Sequence, residues 1–206
     1  MVEESIDVPR ERWWQGHGEQ RFWMEIAGAK EPGIDLRAPI TAPGEKPVWH
    51  WDLVRLVQPG DVIVHWFTTP AGATGIVGWS RAASAPVVES HVWVPRTRTD
   101  IDPSTAERRP HWVVPLKDYT PLPRPITREQ VETIHSEVVR QEGDLKARYR
   151  GFKYYPFQDY RPTEMRARQA YLTKMPIELL LLLNRLGRFG FEVEYEAHRA
   201  APRRSD

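Results

Sequence analysis

The stretch WHWDLVRLVQPGDVIVHWFTTPAGATGIVGWSRAAS, Trp49 to Ser84, decides the fold. It carries four of the nine tryptophans and two of the seven histidines of the chain. QPGD places Pro59 and Gly60 at the centre of a type II turn, which demands positive φ at Gly60. After the turn, DVIVHWF sets Val62, Val64 and Trp66 on one face of a strand and Ile63, His65 and Phe67 on the other. Both faces are apolar enough to be covered. TTPAGATG reads as a hairpin-like connection into a second strand, GIVGWSRA, where Gly75 and Gly78 predict a tight bend or the close approach of another backbone or ligand. Upstream, VWHWDLVRLV predicts a short helix.

Working outward, RFWMEIAG (Arg21 to Gly28) predicts a first strand, and the Gly- and Pro-rich GAKEPGIDLRAPITAPGEKP a long loop. HVWVPR and HWVVPLKDY bracket a polar loop, TRTDIDPSTAERRP, long enough to carry function. The texture then changes. Thr127 and Gln130 have the spacing of a capping box, Val131, Ile134, Val138 and Val139 form a helical stripe, and Gly143 is the expected stop. A second helix is expected from Pro176 to Leu186, with Gly187 beyond it, and FEVEYE alternates as a last strand. The reading is α+β, with a β domain over residues 1–122 and a helical extension over 123–206.

Composition bounds the function. At 206 residues the chain suits one domain with an annex, and 29 basic against 28 acidic residues leave the total charge uninformative. The distribution is uneven: KARYRGFKYYPFQDYRPTEMRAR, Lys146 to Arg168, holds seven basic and two acidic residues among aromatics. Such a mixture suits a phosphate backbone with bases beside it, or an ordinary solvated loop. With no cysteine there is no disulfide, thiolate or Cys-ligated zinc. The acidic N-terminus is no signal peptide and IELLLLL is too short to span a bilayer, so a cytoplasmic protein without a membrane partner is expected.

Catalytic signatures are missing. No pair of histidines has metal-ligand spacing, and there is no phosphate-binding glycine loop, nucleophile elbow or zinc deaminase motif. A binding domain without catalytic residues, metal or cofactor is therefore expected. The tryptophans are the stronger signal, because a flipped nucleobase gains about 1–3 kcal/mol from each ring it stacks on. Trp49, Trp51, Trp79 and Trp93 are the candidate cage; the alternative is that Trp23, Trp66 and Trp112 fill the core and the others roof it. His50, Asp52, His65 and Ser80 are candidate groups for a base edge or an indole N–H. Arg96, Arg98, Arg108 and Arg109 flank the long loop as candidate phosphate contacts.

The order RFWMEI, aromatic segment, PGDVIVHW, GIVGWSRA resembles the PUA-like superfamily, in particular its EVE and YTH-like members. The resemblance extends over most of residues 19 to 183. It implies a small β-barrel with flanking helices that binds a modified base in nucleic acid, with one cage tryptophan at Trp49 or Trp51 and another at Trp93. HWVVPLKDYTPLPRPIT and the stretch from YYPFQDYRP to RQAYLTKMP also resemble segments that join reader to nuclease in bacterial modification-dependent endonucleases with an HNH domain. The implied partner is double-stranded DNA carrying 5-methylcytosine or 5-hydroxymethylcytosine, read by base flipping. The residues contain no His-Asn-His metal site, so cleavage would need an HNH domain or subunit. Two competing readings are a modified-RNA reader of the same fold and a protein-interaction domain using the Trp-rich face.

Overall fold

The computed structural model describes residues 12–27, 31–42, 44–69, 72–92, 107–149, 151–161 and 164–190. The expected strands are present: β1 (Phe22–Ile26), β3 (Val62–Thr68) and β4 (Thr74–Ala82). β1 runs parallel to β3, with Glu25 opposite His65, and β3 runs antiparallel to β4. Gly60 takes φ of +81° as its turn requires. The Asp61 carboxylate then holds the turn to β1, accepting from Gln58 N–H at 2.9 Å, Trp23 Nε1–H at 2.8 Å and Arg21 Nε–H at 2.9 Å. The aspartate of the PGD triplet is therefore structural: one buried carboxylate satisfies the turn and a buried indole.

The glycines of β4 fulfil their expectation. β6 (Arg108–Thr127) pairs with β4 so closely that a Cβ on Gly75 would lie 2.2 Å from Ile126 O, and one on Gly78 2.7 Å from Thr120 O. At 20 residues β6 is far longer than expected. Its first part lies between β2 (Asp35–Pro39) and β5 (Val87–Val92), and its second part crosses to β4. The long loop expected after β1 thus contains a strand, β2, whose only alternation is the buried pair Leu36 and Ala38 between polar residues and a terminal proline. So short an edge strand, ending on Pro39, carries too little pattern to stand out from a loop. β5 likewise begins earlier than the expected HVWVPR.

The C-terminal region is less helical than expected. The Thr127–Gln130 capping box forms and starts α2 (Arg128–Thr133), which bends at Ile134 into α3 (His135–Arg148). Gly143 does not stop α3; the helix passes through it and buries Leu145, because the apolar stripe continues for another turn. β7 (Phe157–Arg161) and β8 (Glu164–Ala167) form a separate hairpin, and β9 (Leu172–Met175) pairs antiparallel with β1. α4 (Ile177–Leu183) ends a turn earlier than expected. The expected boundary at 122/123 falls inside β6, and β9, from beyond it, completes the main sheet. FEVEYE lies outside the described residues.

The result is α+β: a seven-stranded mixed sheet in the order β2-β6-β4-β3-β1-β9, with β5 attached to β6. Alternation along the strands sorts two cores. Phe22, Met24, Val64, Trp66, Ile76 and Trp79 face α2, α3 and α4. Trp23, Leu36, Ile63, Ala82, Val114 and Leu172 face the other way and enclose Leu53, Val54 and Val57. Those last residues follow α1 (Trp49–Asp52), which tightens into a 3₁₀ turn at Leu53–Leu56. This helical unit packs against both β2 and β9, the two ends of the strand order, and so plugs the seam of a half-closed barrel. No helix among the described residues is long and apolar enough to cross a membrane.

Candidate nucleic-acid interface

Period-2 alternation puts Glu25, His65 and Ser80 on the inner face of adjacent strands β1, β3 and β4. They form a buried chain of hydrogen bonds. His65 Nδ1 meets Glu25 Oε2 at 2.8 Å, and Nε2 meets Ser80 Oγ at 2.8 Å. His65 and Ser80 are fully buried and Glu25 nearly so. Tyr171 extends the chain: its hydroxyl donates to Glu25 Oε1 at 3.0 Å and accepts from Arg37 N–H of β2 at 2.7 Å. Burial, and then the Glu25 charge, push the Tyr171 phenol well above its ordinary range, so it stays a donor. The Ser–His–carboxylate connectivity is that of a nucleophile, base and orienting acid. Full burial of Ser80 denies it a substrate, and what the chain does here is fix polar groups in an apolar barrel.

Tyr119 lies over this chain, edge-on to His65 with ring centroids 5.7 Å apart. Its ring fits only because its neighbours are glycines. A Cβ on Gly33 would come within 2.7 Å of it and one on Gly78 within 2.9 Å. Partial burial raises the Tyr119 phenol pKa.

The expected base-edge residues therefore divide. His65 and Ser80 come together, but with each other and with Glu25. Asp52 is buried and paired with Arg55 at 2.9 Å. His50 is partly buried; its Nδ1 accepts from Tyr171 N–H at 3.2 Å, which makes Nε2 the protonated nitrogen of the neutral ring. Burial lowers the His50 pKa, favouring that neutral form.

The candidate cage divides as well. Trp49, 38% exposed, stacks on Tyr154 with centroids 5.3 Å apart and stands edge-on to His50. Trp51 is half-buried against the inner core. Trp79 lies on the opposite sheet face from Ser80, buried under the segment after α4, where its Nε1–H donates to Phe189 O at 2.7 Å. It is not brought near Trp49. Trp93, Arg96 and Arg98 lie outside the described residues. Arg108 donates to Ser90 O, and Arg109 pairs with Glu107 at 2.8 Å, both where β5 and β6 meet. Of the tryptophans that the alternative places in the core, Trp23 and Trp66 are buried and Trp112 is half-buried.

Sequence reasoning missed Glu25, Tyr171, Tyr119 and Tyr154. Glu25 had a signal: it is the one charged residue in the strand FWMEI, and a charge in a buried strand demands a partner. Tyr171 had none, since its role depends on the seam between β2 and β9. Among the described residues there is no group of three or more His, Asp or Glu arranged to hold a metal ion.

No protein-family model matches the chain, and no curated protein matches it. Among solved structures it is similar to a protein from Pseudomonas putida, with 13% identity and a TM-score of 0.44 over 80% of this chain and 98% of that one. A protein from Pseudomonas syringae matches with 10% identity and a TM-score of 0.41 over 80% and 98% of the two chains. The human THYN1 protein, solved in complex with 5-methylcytosine containing DNA, matches with 10% identity and a TM-score of 0.41 over 83% and 98%.

Proposed function

We propose that this chain is a binding domain that reads a modified base in DNA, drawing the base out of the helix and stacking it on Trp49. The PUA-like resemblance of its sequence supplies the choice of DNA and of 5-methylcytosine or 5-hydroxymethylcytosine as the base. The observation that supports the reading is the pairing of an exposed stacking ring with an oriented donor. Trp49 stands edge-on to His50 with centroids 5.2 Å apart, and His50 Nδ1 is engaged by Tyr171 N–H. Nε2–H then offers one hydrogen-bond donor beside the ring, suited to an acceptor on a pyrimidine edge. Tyr171 is in turn held by Glu25, and Glu25 by His65. The buried chain thus positions the reader from behind instead of touching the base.

In this reading the domain gives specificity to a modification-dependent restriction system, with cleavage supplied by an HNH domain or subunit. The test is fluorescence-anisotropy titration of one duplex carrying cytosine, 5-methylcytosine or 5-hydroxymethylcytosine at a single position, across a salt series. One modified duplex should bind tighter than the unmodified one, and Trp49→Ala should reduce that preference while binding to all duplexes keeps its salt dependence. Equal affinity for all three duplexes would sink the reading.

A further inference from the structure

From the basic, aromatic segment between Lys146 and Arg168, Lys146, the residues at 152–155 and Arg168 gather around Trp49. Together they enclose a cleft of about 430 Å³, between the C-terminal end of α3, the chain at 152–155 and Arg168 after β8. Lys146, Lys153 and Arg168 line it against a single carboxylate, Glu142, which pairs with Lys146 at 2.9 Å. The volume falls in the range of small-molecule sites, large enough for a nucleotide. A stacked pair of rings, Trp49 on Tyr154, forms part of the lining.

Tyr154 is the unusual residue. It holds φ of +66°, a conformation that a bulky L-residue rarely adopts. The neighbouring structure enforces it: Tyr154 O accepts from Lys174 N–H of β9 at 2.9 Å, and its ring stacks on Trp49 and stands steeply inclined to Trp14, with centroids 6.1 Å apart. Strained backbone of this kind persists where surroundings over-determine it, and it gathers at ligand clamps.

We infer that this cleft is a second nucleic-acid contact, one that takes a nucleotide of a single-stranded or splayed segment whatever its base. The base lies along the Trp49–Tyr154 aromatic wall, and the phosphate meets the cations. Aromatic faces accept any base, and Lys and Arg accept any phosphate, so the contact is sequence-tolerant. An acidic peptide would use the cations but has no need of the ring wall. The inference rests on the reader function only in that Trp49 stands between the two sites; the cleft would then hold the nucleotide next to the one being read.

The test uses the full chain with a fluorescein-labelled, unmodified 12-nucleotide single strand, and the modified and unmodified duplexes in parallel. Lys146→Glu with Lys153→Glu should weaken single-strand binding about tenfold or more and flatten its salt dependence. The ratio of affinities for modified and unmodified duplex should not change, since neither lysine belongs to the base site. Tyr154→Gly keeps the backbone conformation, glycine being at ease at positive φ, and should also weaken strand binding about tenfold. The inference is overturned if both variants bind the strand as the wild type does, or if the wild type prefers a poly-glutamate peptide to the strand. A wild-type chain that binds the strand in this cleft but ignores base modification would refute the reader function and leave the cleft standing.

Discussion

The hydroxyl of Tyr171 donates to Glu25 at 3.0 Å across the seam of the barrel, and the same oxygen accepts the Arg37 N–H at 2.7 Å. β2 and β9 are not paired to each other in the strand order, so this one oxygen ties the two ends of the sheet. Replacing Tyr171 with Phe leaves a buried carboxylate oxygen and a backbone N–H unpaired. We expect a loss of about 1–3 kcal/mol in stability, read as a lower urea midpoint at unchanged m-value. An unchanged midpoint would mean that the seam is held by the α1 plug alone.

Lys174 gives the fold a pH signature. It is 1% exposed, its Nζ donates to Gln20 O, and it sits 4.1 Å from the Trp23 ring centroid and 5.4 Å from that of Trp14. Burial lowers its pKa to about 7, the Asp61 charge opposing the drop and Arg21 adding to it. The two indole faces are attractive surfaces for the charged form. Unfolded, the lysine titrates near its ordinary 10.5. Between those values the unfolded chain binds more protons than the folded one, so this group makes stability rise with pH from about 7 to about 10. The gain should be about 1–4 kcal/mol. Denaturation of wild type and Lys174→Met across that window should show the slope in the first and its loss in the second; parallel curves would refute it.

His50 predicts acid sensitivity of binding without alkaline sensitivity. Its pKa is lowered by burial, and protonation puts a second N–H on Nδ1, facing the Tyr171 N–H it now accepts from. Affinity for modified duplex should be flat from pH 8 to about 6.5 and fall below that, as the ring is driven through its lowered pKa. His50→Gln, with no ring to titrate, should remove the fall in a titration at fixed ionic strength. A fall that persists in the variant would assign the acid sensitivity elsewhere.

Much of the central sheet could be read from residue pattern because its rules are local. Pro59 and Gly60 specify their turn, Thr127 and Gln130 their cap, and alternation specifies both faces of β3. Gly75 and Gly78 announced a close neighbour without naming it as β6. The parts that could not be read depend on distant partners: β2 is a strand because β6 lies beside it, and Trp79 is buried because Phe189 returns over it. For the candidate site, Trp49 and His50 were visible as residue types, and the basic segment as a composition. That Trp49 meets Tyr154, and that Tyr171 orders His50, follows only from the fold of residues more than a hundred positions away.

The place of β1 has a consequence for biosynthesis. Its register pairs Phe22 with Val62 on one side and with Met175 on the other. One flank is covered once β3 has been made, but the other waits for β9, which follows β3 by more than a hundred residues. Until then FWMEI presents an open, apolar strand edge of the sort that invites pairing with other chains. The nascent protein is thus at its most vulnerable to chaperone capture or aggregation between synthesis of β3 and of β9, and a product cut short in α3 would carry that exposed edge permanently.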